Sequence, residues 1–242
     1  MKTVAGHQPN YLPWAGYFYK MVVCDDFVLG DDIALSRGSF TNRTRVKTVS
    51  GVVWLTVPCH YVSGVTPIKH VPIADGKWRM KHLNTLETNY REAPYLADYM
   101  PRLRELILAD EGGLCDLNMR LIKQLAEWLD ISCSFHMSSA LGSSGTRDDR
   151  IIDQVLQLGG HTYLSGTGGA NYQSEAKFKA ANLNVAYSSF QPPTYPQLWG
   201  KFEPGLSIID LLFNCGPDSR EILKSSGREK WRHWPAYAVH CS

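Results

Sequence analysis

The chain alternates between short apolar runs that end in polar residues and longer stretches with apolar positions three and four apart. The first run, Val4-Ala5-Gly6, ends in His7-Gln8-Pro9, and Trp14, Tyr17, Phe18, Met21 and Val22 then recur at the spacing of a buried helix face. Pro13 suits the first helical position because its missing N–H would be unpaired there anyway. A second run, Phe27-Val28-Leu29, leads into Gly30-Asp31-Asp32. Together these predict a βαβ unit that brings both polar ends to the carboxyl edge of a parallel sheet, where open α/β folds bind ligands. The last third repeats the pattern. A helix starts near Asp149 with Thr146 as its cap, His161 to Leu164 is a strand, a helix spans about Gln173 to Ala181, and Val185 to Tyr187 is another strand. A final helix covers Ser207 to Phe213.

Between these units the pattern differs. Val52 to Val57 and Val65 to Ile73 are extended segments stopped by Pro58, Pro67 and Pro72, which suit a sheet edge. Residues 77–130 read as helices, with Trp78, Lys81, His82 and Thr85 on one face, Pro94 as a break, Pro101 as a kink and Gly112-Gly113 as a stop. The predicted fold is α/β, a mostly parallel sheet built from βαβ units, in one domain over 1–242 with 77–130 as a helical insertion or lid. The tail from Asp218, with weak apolar periodicity, reads as loosely packed or partner-dependent.

At 242 residues the chain can bury a substantial core. A formal net charge of +2 gives no argument for a nucleic-acid or membrane surface, so phosphate affinity has to come from a local cluster. No run approaches a spanning helix, and no signal peptide precedes the first strand. The six cysteines lack paired short spacing, which favours reduced thiols in a cytoplasmic protein over a disulfide scaffold or a zinc site. No metal or cofactor is evident.

Four groups of residues bear chemistry. His7 sits where a strand turns into a helix, beside Gln8, Asn10, Tyr11 and two prolines; a rigid polar turn of this kind packs a core poorly. Its bland alternative is a histidine paired with a backbone carbonyl. The His-x-Gly-His signature of adenylate-forming ligases is absent. Asp31 and Asp32 are adjacent, so a persisting strand sends them to opposite faces: one can orient His7 or take a proton, the other cap a turn, unless both are solvated turn residues. Arg43, Arg45 and Lys47 share one face of the extended run from Asn42, with Lys81 and His82 as possible additions. That face suits a diphosphate, with an RNA surface or a solvated basic face as rivals. Ser165-Gly166-Thr167-Gly168-Gly169 joins a strand to a helix, an arrangement that holds anions on backbone N–H groups, although the glycines also suit a plain tight turn. Tyr172 and Tyr187 can stack on a base or sugar, or belong to the core.

The segments His7 to Trp14, Asp31-Asp32, Asn42 to Lys47, Tyr163-Leu164-Ser165-Gly166 and Leu206 to Asp210 resemble the WbqC-like family, in order and over nearly the whole chain. That family is known chiefly from bacterial gene clusters for O-antigen and other surface polysaccharides. The resemblance implies, by association, an enzyme acting on activated sugars, but not its reaction; with no metal or redox site evident, a transferase moving an acyl or aminoacyl group to the amino group of a nucleotide-linked sugar is the first expectation. The resemblance favours functional roles for the aspartates. In this scheme His7 or Asp31 takes the proton. Gln8, Asn10, Tyr11, Asp32, Asn42, Arg43, Arg45, Lys47, Lys81, His82, Ser165, Gly166, Gly168 and Tyr172 bind substrate. The donor is unidentified. Alternatives are an ATP- and magnesium-dependent amide ligase and a non-catalytic binder of a nucleotide-sugar or partner; a charged tRNA as donor is the one route to nucleic acid. Oligomeric state is open, a homo-oligomer included.

Overall fold

The computed structural model describes residues 1–109 and 112–227. In chain order the elements are β1 (Thr3–His7), α1 (Ala15–Val23), β2 (Asp26–Leu29), β3 (Arg43–Thr48), β4 (Gly51–Thr56), α2 (Trp78–Tyr90), α3 (Leu96–Leu108), α4 (Leu114–Trp128), β5 (Ser134–Met137), α5 (Ser138–Leu141), α6 (Asp148–Gln157), β6 (Thr162–Ser165), α7 (Glu175–Ala180), β7 (Asn184–Tyr187), α8 (Ile208–Cys215) and α9 (Ser219–Ser225). Five strands form one parallel sheet in the order β5-β2-β1-β6-β7, and β3 and β4 form a separate antiparallel hairpin. The α/β fold with a mostly parallel sheet expected from sequence is therefore present.

Alternation along the strands builds two cores. Ala5, Phe27, Leu29 and Leu164 face the larger one, which they share with α1, α4 and α8. Val4, Val28, Tyr163 and Val185 face the other side, where Val155 of α6 and Phe178 of α7 cover them. α1 leads from β1 to β2 on the first side, and α7 leads from β6 to β7 on the second. The chain thus leaves the neighbouring strands β1 and β6 in opposite directions, which opens a crevice between their carboxyl ends, the topological switch point of an open sheet.

Several elements differ from the sequence expectation. β5, on the edge, was not foreseen. The expected cap at Thr146 gives way to Arg147, which takes a positive φ of 52° before α6. Helix α3 continues through Pro101. The segment after Val65 forms only isolated bridges and a short 3-10 turn. The tail is ordered as far as Gly227: α9 buries Leu223 and packs on α1, and the remainder of that expectation lies outside the described residues. None of residues 77–130 lines the crevice; α2 to α4 contribute instead to the larger core. Among the described residues, no helix is long and apolar enough to cross a membrane.

Candidate functional site

The crevice is a cleft of about 490 Å³ lined by the ends of β1 and β6, the first turns of α1, the loop after β6 and the segment after β7, a size typical of small-ligand sites. The two motifs on the neighbouring strands meet here: His7 and Gln8 on one wall, Ser165, Gly166, Gly168 and Tyr172 on the other. Trp14, Tyr17 and Phe190 add an aromatic wall, with the Trp14 and Phe190 rings edge-on at 5.3 Å.

The turn after β1 is held from every side. Asn118, fully buried in α4, donates from Nδ2 to the Pro9 and Thr41 carbonyls at 2.7 and 2.8 Å. The Thr41 hydroxyl donates to Gln8 Oε1 at 3.0 Å, and the Tyr17 hydroxyl to the Gln8 carbonyl at 3.1 Å. Leu12 adopts a positive φ of 42°, rare for a bulky residue. Its carbonyl accepts from the hydroxyls of Thr44 and Ser207. Strain of this kind persists only where the surroundings impose it.

His7 opens onto the cleft with its ring exposed. Nδ1 lies 3.2 Å from the Gln8 carbonyl; because a carbonyl only accepts, Nδ1 carries the proton and Nε2 of the neutral ring keeps its lone pair. Desolvation by the crowding walls, then the Lys20 charge, lowers its pKa, against the Gln8 carbonyl. A pKa held below the ordinary histidine value leaves this imidazole uncharged at neutral pH.

Lys20 was not foreseen from sequence. It lies on α1 within the apolar run Tyr17 to Val22, lines the cleft and is only 5% exposed. Nζ donates to the Gly6 carbonyl at 2.8 Å. Burial lowers its pKa to about 8, and among the described residues no carboxylate pairs with it. Among the described residues, the cleft lining includes no Asp or Glu. A lysine in an otherwise apolar helix stripe was the available signal.

The glycine loop winds into a 3-10 turn over Thr167–Asn171, in which the Gly169 N–H donates to the Gly166 carbonyl at 2.9 Å. Gly166 and Gly168 have no positive φ, and a methyl group added at either would meet nothing within 4 Å. Only Gly169 is required by packing, against Ser165 and Gln173. Tyr172 stands at the rim, 75% exposed.

Other expected site residues lie elsewhere. Asp31 is buried, and its two oxygens accept from the Ser139 N–H and hydroxyl at 2.9 and 2.5 Å, capping α5. Asp32 pairs with Arg150. Because β2 ends at Leu29, both aspartates leave the strand before they reach the crevice. Arg43, Arg45 and Lys47 do share a face of β3, but none lines the cleft. The Arg43 guanidinium lies 4.1 Å from the Trp54 ring centroid and donates to the Gly38 carbonyl. Lys47 is covered, donating to Gln197 Oε1 and the Lys201 carbonyl. Asn42 donates to the Val57 carbonyl. Asn10 is buried against Thr41, and Tyr11 meets His82 at 3.0 Å inside the core. His82 and Trp78 point inward, while Lys81 points to solvent.

A family model described as the WbqC-like protein family matches residues 8–222. An uncharacterized protein of Mycobacterium tuberculosis is 32% identical over 227 residues, which span 93% of this chain and 98% of that protein. No solved structure matches the chain significantly. The match runs from Gln8 in the cleft wall to Ile222 in α9 and covers every lining residue of the crevice except Gly6 and His7; this chain belongs to the WbqC-like protein family.

Proposed function

We propose that the protein is a transferase of bacterial surface-polysaccharide assembly that moves an acyl or aminoacyl group onto the amine of a nucleotide-linked amino sugar bound in the switch-point cleft. What supports this reading is a cleft lined, among the described residues, by the glycine loop and buried Lys20 without Asp or Glu, with His7 Nδ1 toward the Gln8 carbonyl so that Nε2 keeps its lone pair. In the reaction the amine nitrogen attacks the donor's carbonyl carbon, the C–N bond forms, and the bond to the leaving group breaks. His7 Nε2 takes the amine proton and passes it to the leaving group. Backbone N–H groups of the glycine loop steady the charge that develops on the carbonyl oxygen. Asp31 is a poorer base here, because both of its oxygens already accept hydrogen bonds from Ser139.

Trp14 supplies apolar area for a base or sugar ring, backed by Phe190 and the fully buried Tyr17. The test is a panel of nucleotide-linked amino sugars and acyl donors, with calorimetry for binding and mass spectrometry for the amide product. His7→Ala is expected to keep sugar binding within a few-fold and to lose turnover by roughly a hundredfold or more, the usual worth of a general base. Turnover that survives His7→Ala removes the assigned chemistry, and turnover that requires ATP replaces it with ligation.

A further inference from the structure

The cleft holds a buried lysine that pairs with no carboxylate among the described residues. An ammonium group taken out of water is costly unless something compensates it, and structural lysines at such depth are paired. Lys20 Nζ donates to the Gly6 carbonyl and lies 5.7 Å from the Phe27 ring centroid, so with one N–H bonded to the fold it keeps donors for a ligand. Across the cleft stand Gly166 and Gly168, whose missing side chains serve neither backbone strain nor internal packing. A bare backbone facing open space is what close approach of a ligand to N–H groups requires. Ser165 and Thr167 add hydroxyls to the same lining, and among the described residues no carboxylate opposes an anion there.

We infer that Lys20 and the loop from Ser165 to Gly168 form a phosphoryl-binding site, which takes the diphosphate of the substrate at the base of the cleft and leaves His7 to face the reacting amine. The inference rests on reading the cleft as the substrate site and deepens it by naming the residue that recognises the substrate's charge. A phosphoryl group carries more negative charge and more acceptor oxygens than a carboxylate, which suits a lysine and several loop N–H groups acting together.

Inorganic pyrophosphate is the probe, so the result does not depend on identifying the sugar. Calorimetry on the full chain is expected to show pyrophosphate binding, weakened roughly ten- to hundredfold in Lys20→Met, the usual worth of a hydrogen bond to a charged group. The melting temperature of ligand-free Lys20→Met will equal or exceed that of the wild type, because the variant removes a buried, uncompensated charge. A structural lysine would give the opposite sign. Wild-type affinity will also fall as pH rises above about 8, where Lys20 loses its proton, and Lys20→Met will lack that step. Gly168→Ala, which meets no protein atom, gives a second variant that folds, and it too will bind pyrophosphate more weakly.

Unchanged pyrophosphate affinity in Lys20→Met, or no binding by the wild type, overturns the inference. Loss of affinity in Lys20→Met without any amide-forming turnover leaves this site standing and removes the transferase reading. Turnover with unchanged pyrophosphate affinity does the reverse.

Discussion

Replacing Asp210 with alanine will cost about 3–5 kcal/mol of folding stability, and the estimate follows from three groups that meet at its carboxylate. Asp210 is fully buried on α8. Oδ2 accepts from the Tyr90 hydroxyl at 2.7 Å and Oδ1 from the Tyr195 hydroxyl at 2.8 Å. The Tyr90 oxygen in turn accepts the Lys47 backbone N–H at 3.0 Å, and the Lys47 cation lies within the field of the carboxylate. Alanine leaves two hydroxyls without their acceptor. Hydrogen bonds to a charged group are worth about 1.5–3 kcal/mol each, and removing one partner of a buried charged network typically costs about 3–5 kcal/mol. Desolvation, which raises the Asp210 pKa against the help of Tyr90 and Tyr195, is recovered in the variant and keeps the total from reaching the simple sum. Asp210→Asn preserves volume and one acceptor, so about 1–2 kcal/mol is expected. Urea unfolding followed by far-ultraviolet circular dichroism will show a lower midpoint at unchanged slope, and melting will fall by roughly 6–20 °C for a chain of this size. A loss below about 1 kcal/mol for Asp210→Ala would refute the reasoning, because the hydroxyls would then have found other partners.

Two further outcomes test the cleft wall and the core. In Gly16→Ala the new methyl would sit 2.4–2.8 Å from Trp14 ring atoms, so the ring must retreat by roughly 1 Å to reach ordinary contact. Overpacking of about 1–3 kcal/mol, less about 1 kcal/mol of improved helix propensity, leaves a small net loss. Nucleotide-sugar affinity, measured by calorimetry, will fall because Trp14 is part of the wall, and an unchanged affinity counts against that placement. His82, buried beside Tyr11, has its pKa lowered by desolvation from 6.5 to about 4. The folded state therefore favours the neutral ring, and this contribution is complete above pH 6.5 and lost as pH falls toward 4. At about 1.4 kcal/mol per pH unit the loss reaches about 3 kcal/mol. His82→Gln will flatten that part of the stability profile, and an unaltered slope in denaturation at pH 4 to 7 would contradict it.

Periodicity and turn chemistry made the sheet and its ligand-bearing edge readable in the sequence. Apolar runs ending in His7 and Ser165 are the inner strands on either side of the crevice, and both motifs line it. What was hidden depended on distant partners. β5, with Ser134 and His136, lacks a β-branched run and is a strand because it pairs with β2. The face shared by Arg43 and Lys47 was readable from alternation, whereas the cover that Gln197 and Lys201 lay over Lys47 was not. Lys20 escaped notice because a lysine in an apolar helix ordinarily extends its ammonium to solvent. Here α1 packs against β1 and α9, and the Lys20 side chain is buried in the cleft lining instead. Asp31 shows the converse: adjacency to the site in sequence did not bring it there, since it caps α5 instead.

The central position of β1 has a consequence for how the chain acquires its structure. One edge of β1 is filled early by β2, a near neighbour in sequence, but the other waits for β6, so that Thr3 pairs with Thr162 across most of the chain. Pairings of such long range are slow, because the entropy of closing the loop is lost before any contact rewards it. On the ribosome the first βαβ unit therefore emerges with an unpaired inner edge, the kind of surface that invites association with other chains. The switch-point crevice does not exist until that edge is closed, so ligand binding reports on completion of the sheet.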